Sequence, residues 1–134
     1  MTRHIVLLLP LVVCLSGCSQ NQVARDQSAG EDKAVQSIEA VGGRVARDEK
    51  LPGRPVVAVD LGDTNVTDSD LKDLKELKGL QDLDLGFTQI TDAGLKNLKE
   101  LKGLQSLDLR DAQITDAGMK DLKQALPTTR IWGP

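Results

Sequence analysis

Residues 80–103 read LQDLDLGFTQITDAGLKNLKELKG, and this stretch decides the fold. The segments on either side of it, 56–79 and 104–126, align with it position by position. A fixed period of 24 residues is typical of a solenoid, in which copies of one supersecondary unit stack and bury a continuous core between them. The chain is therefore predicted to be a repeat protein with three copies of the unit.

Each unit begins with an alternating segment and ends with a helical one. Val59, Leu83 and Leu107 share one strand position, and the period of 2 points all of them into the core. Leucines then recur at helical spacing, so that each unit is a strand followed by a helix. Three such units in series predict an α/β fold with a parallel sheet on the concave side. The residues predicted to cap the three helices are Thr67-Asp68, Thr91-Asp92 and Thr115-Asp116.

The shared pattern, LxxLxLxxTxITDAGLKxLKxLKG, resembles the leucine-rich repeat over residues 56–126. Its ITDAGL element is most similar to the cysteine-containing and bacterial GALA-like repeats, and this resemblance implies a true α-helix on the helical side. Thr64, Thr88 and Ala112 stand where that family usually has Asn or Cys. We expect the threonines to donate hydrogen bonds to the neighbouring loop, and Ala112 to leave the last inter-repeat contact weaker.

The segments that flank the repeats are predicted to cap them. Residues 31–55 form an N-terminal cap in this prediction: a helix over 31–41 that stops at Gly42-Gly43, then a strand over 44–47. Residues 127–134 are predicted to form a C-terminal capping strand. Ile131 falls in the core position of that strand, and we expect Trp132 to cover the exposed end of the core.

Residues 1–17 have the layout of a secretory signal peptide, with a positive start and an apolar run that is too short to span a bilayer. The sequence Leu-Ser-Gly-Cys at 15–18 resembles the lipobox of bacterial lipoproteins. That resemblance implies a diacylglyceryl group on Cys18 and an amino terminus acylated with a chain such as palmitate. The alternative is an ordinary secreted protein in which Cys18 is a stray thiol. Residues 18–30 are polar and aperiodic, which predicts a flexible tether.

The resemblance to lipoproteins also predicts where the protein resides. It places the chain in the bacterial cell envelope, exported and anchored to a membrane by its lipid. The outer membrane is favoured over the inner one, because Ser19 rather than Asp follows Cys18.

The composition argues against catalysis. The single His, His4, and one of the two cysteines, Cys14, lie in the predicted signal peptide, and the chain has no Tyr. Ser-His-Asp and Cys-His sites and His/Cys metal sites are therefore not expected in the mature chain. We predict no enzyme activity, no cofactor, no metal and no small-molecule substrate. A formal net charge of −3 without a basic face argues against nucleic acid as a partner.

The outward-facing strand positions supply the candidate contact residues. Asp60, Asp84 and Asp108 align as a column with about 4.8 Å between neighbours. Phe87 is the only Phe in the chain, and aromatic residues are favoured interface anchors. A solvated polar face that keeps the sheet soluble is the alternative explanation of the column. The predicted partner-binding residues are Asp60, Asp84, Phe87, Asp108 and Arg110.

These observations predict a non-enzymatic, membrane-anchored leucine-rich repeat lipoprotein that mediates protein–protein interaction at the cell envelope. The alternative is a structural or self-associating envelope protein without a specific ligand. Four short strands offer a concave sheet of only roughly 300 Å², whereas a standard interface buries about 800 Å² on each partner. We therefore expect weak binding, use of the flanks, or several copies acting together on a membrane.

Overall fold

The computed structural model describes residues 29–134. The predicted signal peptide, Cys18 and most of the predicted tether lie outside the described residues. In chain order the elements are α1 (29–40), β1 (Arg44–Arg47), β2 (Val56–Asp60), a 3-10 helix (Asp70–Glu76), β3 (Asp82–Asp84), α2 (Asp92–Leu98), β4 (Ser106–Asp108), α3 (Asp116–Ala125) and β5 (Arg130–Trp132).

The strands form one sheet in the order β1-β2-β3-β4-β5. β1 pairs antiparallel with β2, and every later pair is parallel. In this register Val59, Leu83, Leu107 and Ile131 lie side by side, as the alternating pattern predicts. The predicted fold class is confirmed: a short array of strand–helix repeats with a mostly parallel sheet, preceded by a helix and a hairpin strand.

The core lies between the sheet and the helices. The ladder that begins at Leu61 continues through Leu85 and Leu109, and none of these three side chains is more than 1% exposed. A second ladder of Val66, Ile90 and Ile114 is buried beneath the turns that follow the strands. A fully buried aliphatic side chain of this size contributes roughly 1.5–3 kcal/mol, so the stacked ladders hold the repeats together.

Helix α1 covers the first repeat with Ala34, Val35 and Ile38, all of them buried. The helix ends at Ala40, and the turn that follows it contains Gly42, whose φ of +89° suits glycine. The following residue, Gly43, donates its N–H to the Ile38 carbonyl at 2.9 Å. The predicted helix, glycine stop and following strand are therefore all present, and the helix occupies residues 29–40 of the described part.

Carboxylates tie each repeat to the next one. Asp68 accepts the backbone N–H of Thr91 at 2.9 Å through Oδ1 and its hydroxyl at 2.7 Å through Oδ2. A Cβ on Gly94 would lie 2.5 Å from Asp68 Oδ1. Glycine in the TDAG motif therefore leaves room for the carboxylate of the preceding repeat.

The first repeat departs from this pattern. Its helical segment is a 3-10 helix with Ser69 at the N-cap and no side-chain cap hydrogen bond, so the predicted α-helix capped by Thr67-Asp68 is wrong. The reason is Asp70, which occupies the position of Gly94. Its Oδ2 accepts both the N–H and the hydroxyl of Thr67, at 2.9 and 2.8 Å. The first repeat thus supplies within itself the acceptor that later repeats receive from a neighbour.

The other two predicted caps are confirmed. Thr91 Oγ1 accepts the Ala93 N–H at the start of α2 at 3.3 Å. Thr115 Oγ1 accepts the Gly118 N–H at the start of α3 at 3.1 Å. The middle and last units therefore contain the true α-helices that the resemblance implies.

The threonines in the Asn or Cys position act differently from the prediction. The Thr64 hydroxyl donates to the Leu61 carbonyl and the Thr88 hydroxyl to the Leu85 carbonyl, each at 2.7 Å and each within its own repeat. The expected hydrogen bond to the neighbouring loop is therefore wrong. Ala112 removes a bond inside the third repeat, not one between repeats.

No helix within residues 29–134 has both the length and the apolar character needed to cross a bilayer.

Candidate functional site

The concave face of the sheet carries two outward rows of side chains, one on each side of the buried row. In the first row the acidic column lies between a cation and an aromatic ring, in the register Arg44, Asp60, Asp84, Asp108, Trp132. The second row runs Ala46, Ala58, Asp82, Ser106, Arg130. Apart from Arg130, both rows line a groove of about 400 Å³. The face is thus acidic at its centre and carries an arginine at each edge.

Each aspartate of the column also closes the turn that follows its strand. Asp60 Oδ1 accepts the Gly62 N–H at 3.1 Å, and Asp84 Oδ1 accepts the Gly86 N–H at 2.8 Å. Asp108 makes the same contact with the Arg110 N–H at 3.0 Å. This structural role was missed from the sequence. The sequence signal for this role was the Asp that recurs at the end of each strand, because an Asp side chain can accept the backbone N–H of the residue two positions later.

Asp108 and Arg110 pair with each other. The Arg110 Nε lies 3.0 Å from Asp108 Oδ1 and its Nη2 lies 2.5 Å from Asp108 Oδ2. The hydrogen bond from the Arg110 side chain lowers the pKa of Asp108, and the same contact raises the pKa of Arg110. The Arg110 cation therefore offsets the negative charge of Asp108. The negative charge of the groove comes from Asp60, Asp82 and Asp84.

Phe87 lies in the turn beyond the end of β3, where it is 63% exposed. It adopts a left-handed backbone with φ +57°, as Asp63 (+59°) and Asp111 (+56°) do at the same position of their repeats. Its N–H donates to the Arg110 carbonyl at 2.8 Å. Phe87 and Arg110 therefore lie on the rim of the concave face, while the three aspartates of the column lie at the ends of the strands.

Trp132 lies elsewhere than predicted. Its register with Asp108 places it in the concave row, where it lines the groove and is 42% exposed. Ile131 is the residue that packs against the core. The prediction that Trp132 covers the end of the core is therefore wrong, because the alternation of the strand turns it to the opposite face. The Arg130 guanidinium lies 5.9 Å from the centre of its ring.

The side chains in residues 29–134 form no cluster of three or more His, Cys, Asp or Glu that could hold a metal ion. Asp60, Asp84 and Asp108 on the concave face each accept an N–H of the turn that follows their strand.

Two segments, residues 80–99 and 104–123, match the family model described as Leucine Rich repeat. They belong to the second and third units, whose strands and α-helices are described above. A search of curated proteins finds no match to the chain. These two units match the leucine-rich repeat, and repeats of this kind are typically non-catalytic modules that bind other proteins.

Proposed function

We propose that the chain is a non-enzymatic, lipid-anchored protein whose leucine-rich repeats bind a protein partner at the bacterial cell envelope. The observation that carries the binding role is the concave sheet face, where exposed acidic side chains and Trp132 line a groove that no other part of residues 29–134 fills. Aromatic side chains next to polar ones are typical of protein interfaces.

The geometry favours a partner segment with basic side chains. Asp60, Asp82 and Asp84 present carboxylates close together, and opposite charge on the partner would steer its approach and fix its register. Arg44 and Arg130 at the edges of the sheet limit how far such a segment can extend. The small area of the face suits a weak contact that is strengthened when many copies share one membrane.

Binding through the concave face is tested by photo-crosslinking in cells. We place the crosslinker at Ser106, which faces the groove, and in a matched strain at Lys96, which is exposed on α2. A discrete adduct to another protein is expected from Ser106 alone. Asp82→Lys should abolish this adduct, because it reverses a charge of the groove without removing an aspartate that stabilises a turn. Adducts only to the chain itself would favour the self-associating alternative, and equal adducts from both positions would contradict a concave-face site.

The proposed anchor rests on the sequence at 15–18 and is tested separately. Mass spectrometry of the mature amino terminus is expected to find a lipid-modified Cys18, and the chain is expected to fractionate with membranes. Cys18→Ser should abolish the modification and release the protein, whereas Ser19→Ala should not. An unmodified chain that still fractionates with membranes would contradict lipid anchoring at Cys18.

A further inference from the structure

Phe87 contributes little to the fold that surrounds it. Its side chain is 63% exposed, the largest exposed fraction among the large apolar residues of the described part. The equivalent turn positions hold Asp63 and Asp111, so the turn itself does not require an aromatic residue. An apolar side chain that buries so little surface gains little from the hydrophobic effect within the chain.

Phe87 is also held in an unfavourable backbone conformation. Its φ of +57° lies in the left-handed region, where a bulky side chain is rare and where Asn and Asp are best tolerated after glycine. This conformation belongs to the turn of the repeat, because Asp111 in the last repeat adopts it as well, with φ +56°. The Phe87 N–H donates to the Arg110 carbonyl at 2.8 Å. The Asp63 N–H makes the matching contact with the Gly86 carbonyl at 3.0 Å. An exposed Phe thus stands at a position whose backbone conformation suits Asn better.

We infer that Phe87 is the anchor of the proposed interface, and that it inserts into an apolar socket of a partner protein whose rim carries Lys or Arg. The basic rim follows from charge complementarity, because Asp63 and Asp111 are exposed one repeat to either side, at a strand spacing of about 4.8 Å. Aromatic side chains that are buried only on binding are frequent hot spots of interfaces. This inference rests on the proposed function and assigns one residue within it.

The first test measures stability in the purified full chain. Phe87→Asn is expected to raise Tm by about 3–6 °C, since Asn tolerates the left-handed backbone better and the change removes little buried surface. Leu51→Asn is the matched control, because Leu51 is 48% exposed in another turn and has no positive φ. A lower Tm for Phe87→Asn would show that Phe87 supports the fold, and would overturn the inference.

The second test measures binding in cells. A photo-crosslinker at Gln89, exposed two residues from Phe87, is expected to give a discrete adduct to another protein. Phe87→Asn should lower the adduct yield at least about tenfold, as expected for loss of a hot spot, and Leu51→Asn should leave it unchanged. The crosslinked peptide of the partner should come from an apolar surface bordered by Lys or Arg.

The outcomes separate this inference from the proposed function. An adduct that survives Phe87→Asn but is lost in Asp82→Lys overturns the anchor and leaves concave-face binding intact. Adducts from Ser106 but none from Gln89 have the same meaning. Adducts from neither position overturn both. Higher Tm together with lost crosslinking supports the anchor, since unfolding cannot explain a loss of binding in a more stable variant.

Discussion

The carboxylate of Asp92 holds the Thr115 residue of the next repeat by two hydrogen bonds. Asp92 Oδ1 accepts the Thr115 backbone N–H at 2.9 Å, and Oδ2 accepts its hydroxyl at 2.5 Å. The side-chain bond, and then the backbone bond, lower the pKa of Asp92. Asp68 and Thr91 make the same pair one repeat earlier. The Asp at this position of the repeat therefore links successive units near the N-termini of their helices.

Replacing Asp68 by Ala should destabilise the domain by about 1–3 kcal/mol, because the half-buried Thr91 loses the acceptor of two donors. Asp116→Ala is the matched control: it is the same position in the third unit, and no hydrogen bond to its carboxylate occurs within residues 29–134. Urea denaturation of the two variants measures the difference. An equal loss in both would contradict the linking role.

Stability should fall in acid partly through Asp92. Its folded pKa is lowered, so the carboxylate contributes stability above its unfolded pKa, and this is lost as pH falls through the folded pKa. The effect sets in from about pH 4 downward. The difference in unfolding free energy between the parent chain and Asp92→Asn should therefore narrow below about pH 4. Denaturation curves from neutral pH into acid test this, and a constant difference would refute it.

Gly94→Ala should destabilise the protein although Ala is the better helix former. The gain in helix propensity is about 1 kcal/mol. The new Cβ would however meet Asp68 Oδ1 at 2.5 Å and Leu71 Cδ1 at 2.9 Å, and such overpacking costs about 1–3 kcal/mol. Gly30→Ala is the control in α1, where the nearest atom is the mobile end of Glu76 at 3.2 Å. Thermal unfolding should show a lower Tm for Gly94→Ala alone.

Arg110→Gln should raise the pKa of Asp108 towards its ordinary value, because the guanidinium fork that stabilises the carboxylate is removed. The titration of the Asp108 carboxyl carbon followed by NMR measures the change. Lys96→Gln removes a positive charge from the helix side and should leave this pKa unchanged. If the Asp108 titration is the same in the parent chain and in Arg110→Gln, the pair does not form in solution.

The sheet could be predicted because its register follows from the repeat itself. Val59, Leu83 and Leu107 recur every 24 residues, and stacking identical units leaves one pairing that buries them all. The helix caps Thr91 and Thr115 could be predicted for the same reason, since their local sequence is nearly identical.

The predictions that failed concern residues at which the sequence differs from the regular repeat or lies beyond it. The Asp70 side chain competes for the donors of Thr67, and only the structure shows that this leaves a 3-10 helix. Trp132 was misplaced although Ile131 had been assigned to the core, because the alternation of the strand turns the next residue to the concave face beside Asp108. Phe87 was found as a candidate from composition, but only the structure shows the left-handed backbone that makes a Phe costly there.

The self-contained start of the array determines how its length can change. Asp70 satisfies Thr67, so the first unit offers a carboxylate through Asp68 but needs none from before it. In the middle unit, Thr91 donates to the Asp68 carboxylate of the unit before it, and the Asp92 carboxylate accepts from Thr115 of the unit after it. An in-frame duplication of residues 80–103 would therefore extend the array and keep the Asp–Thr hydrogen bonds between all successive repeats. A duplication of residues 56–79 would instead insert a unit whose Thr67 already binds its own Asp70 and is not available to the Asp68 carboxylate of the unit before it.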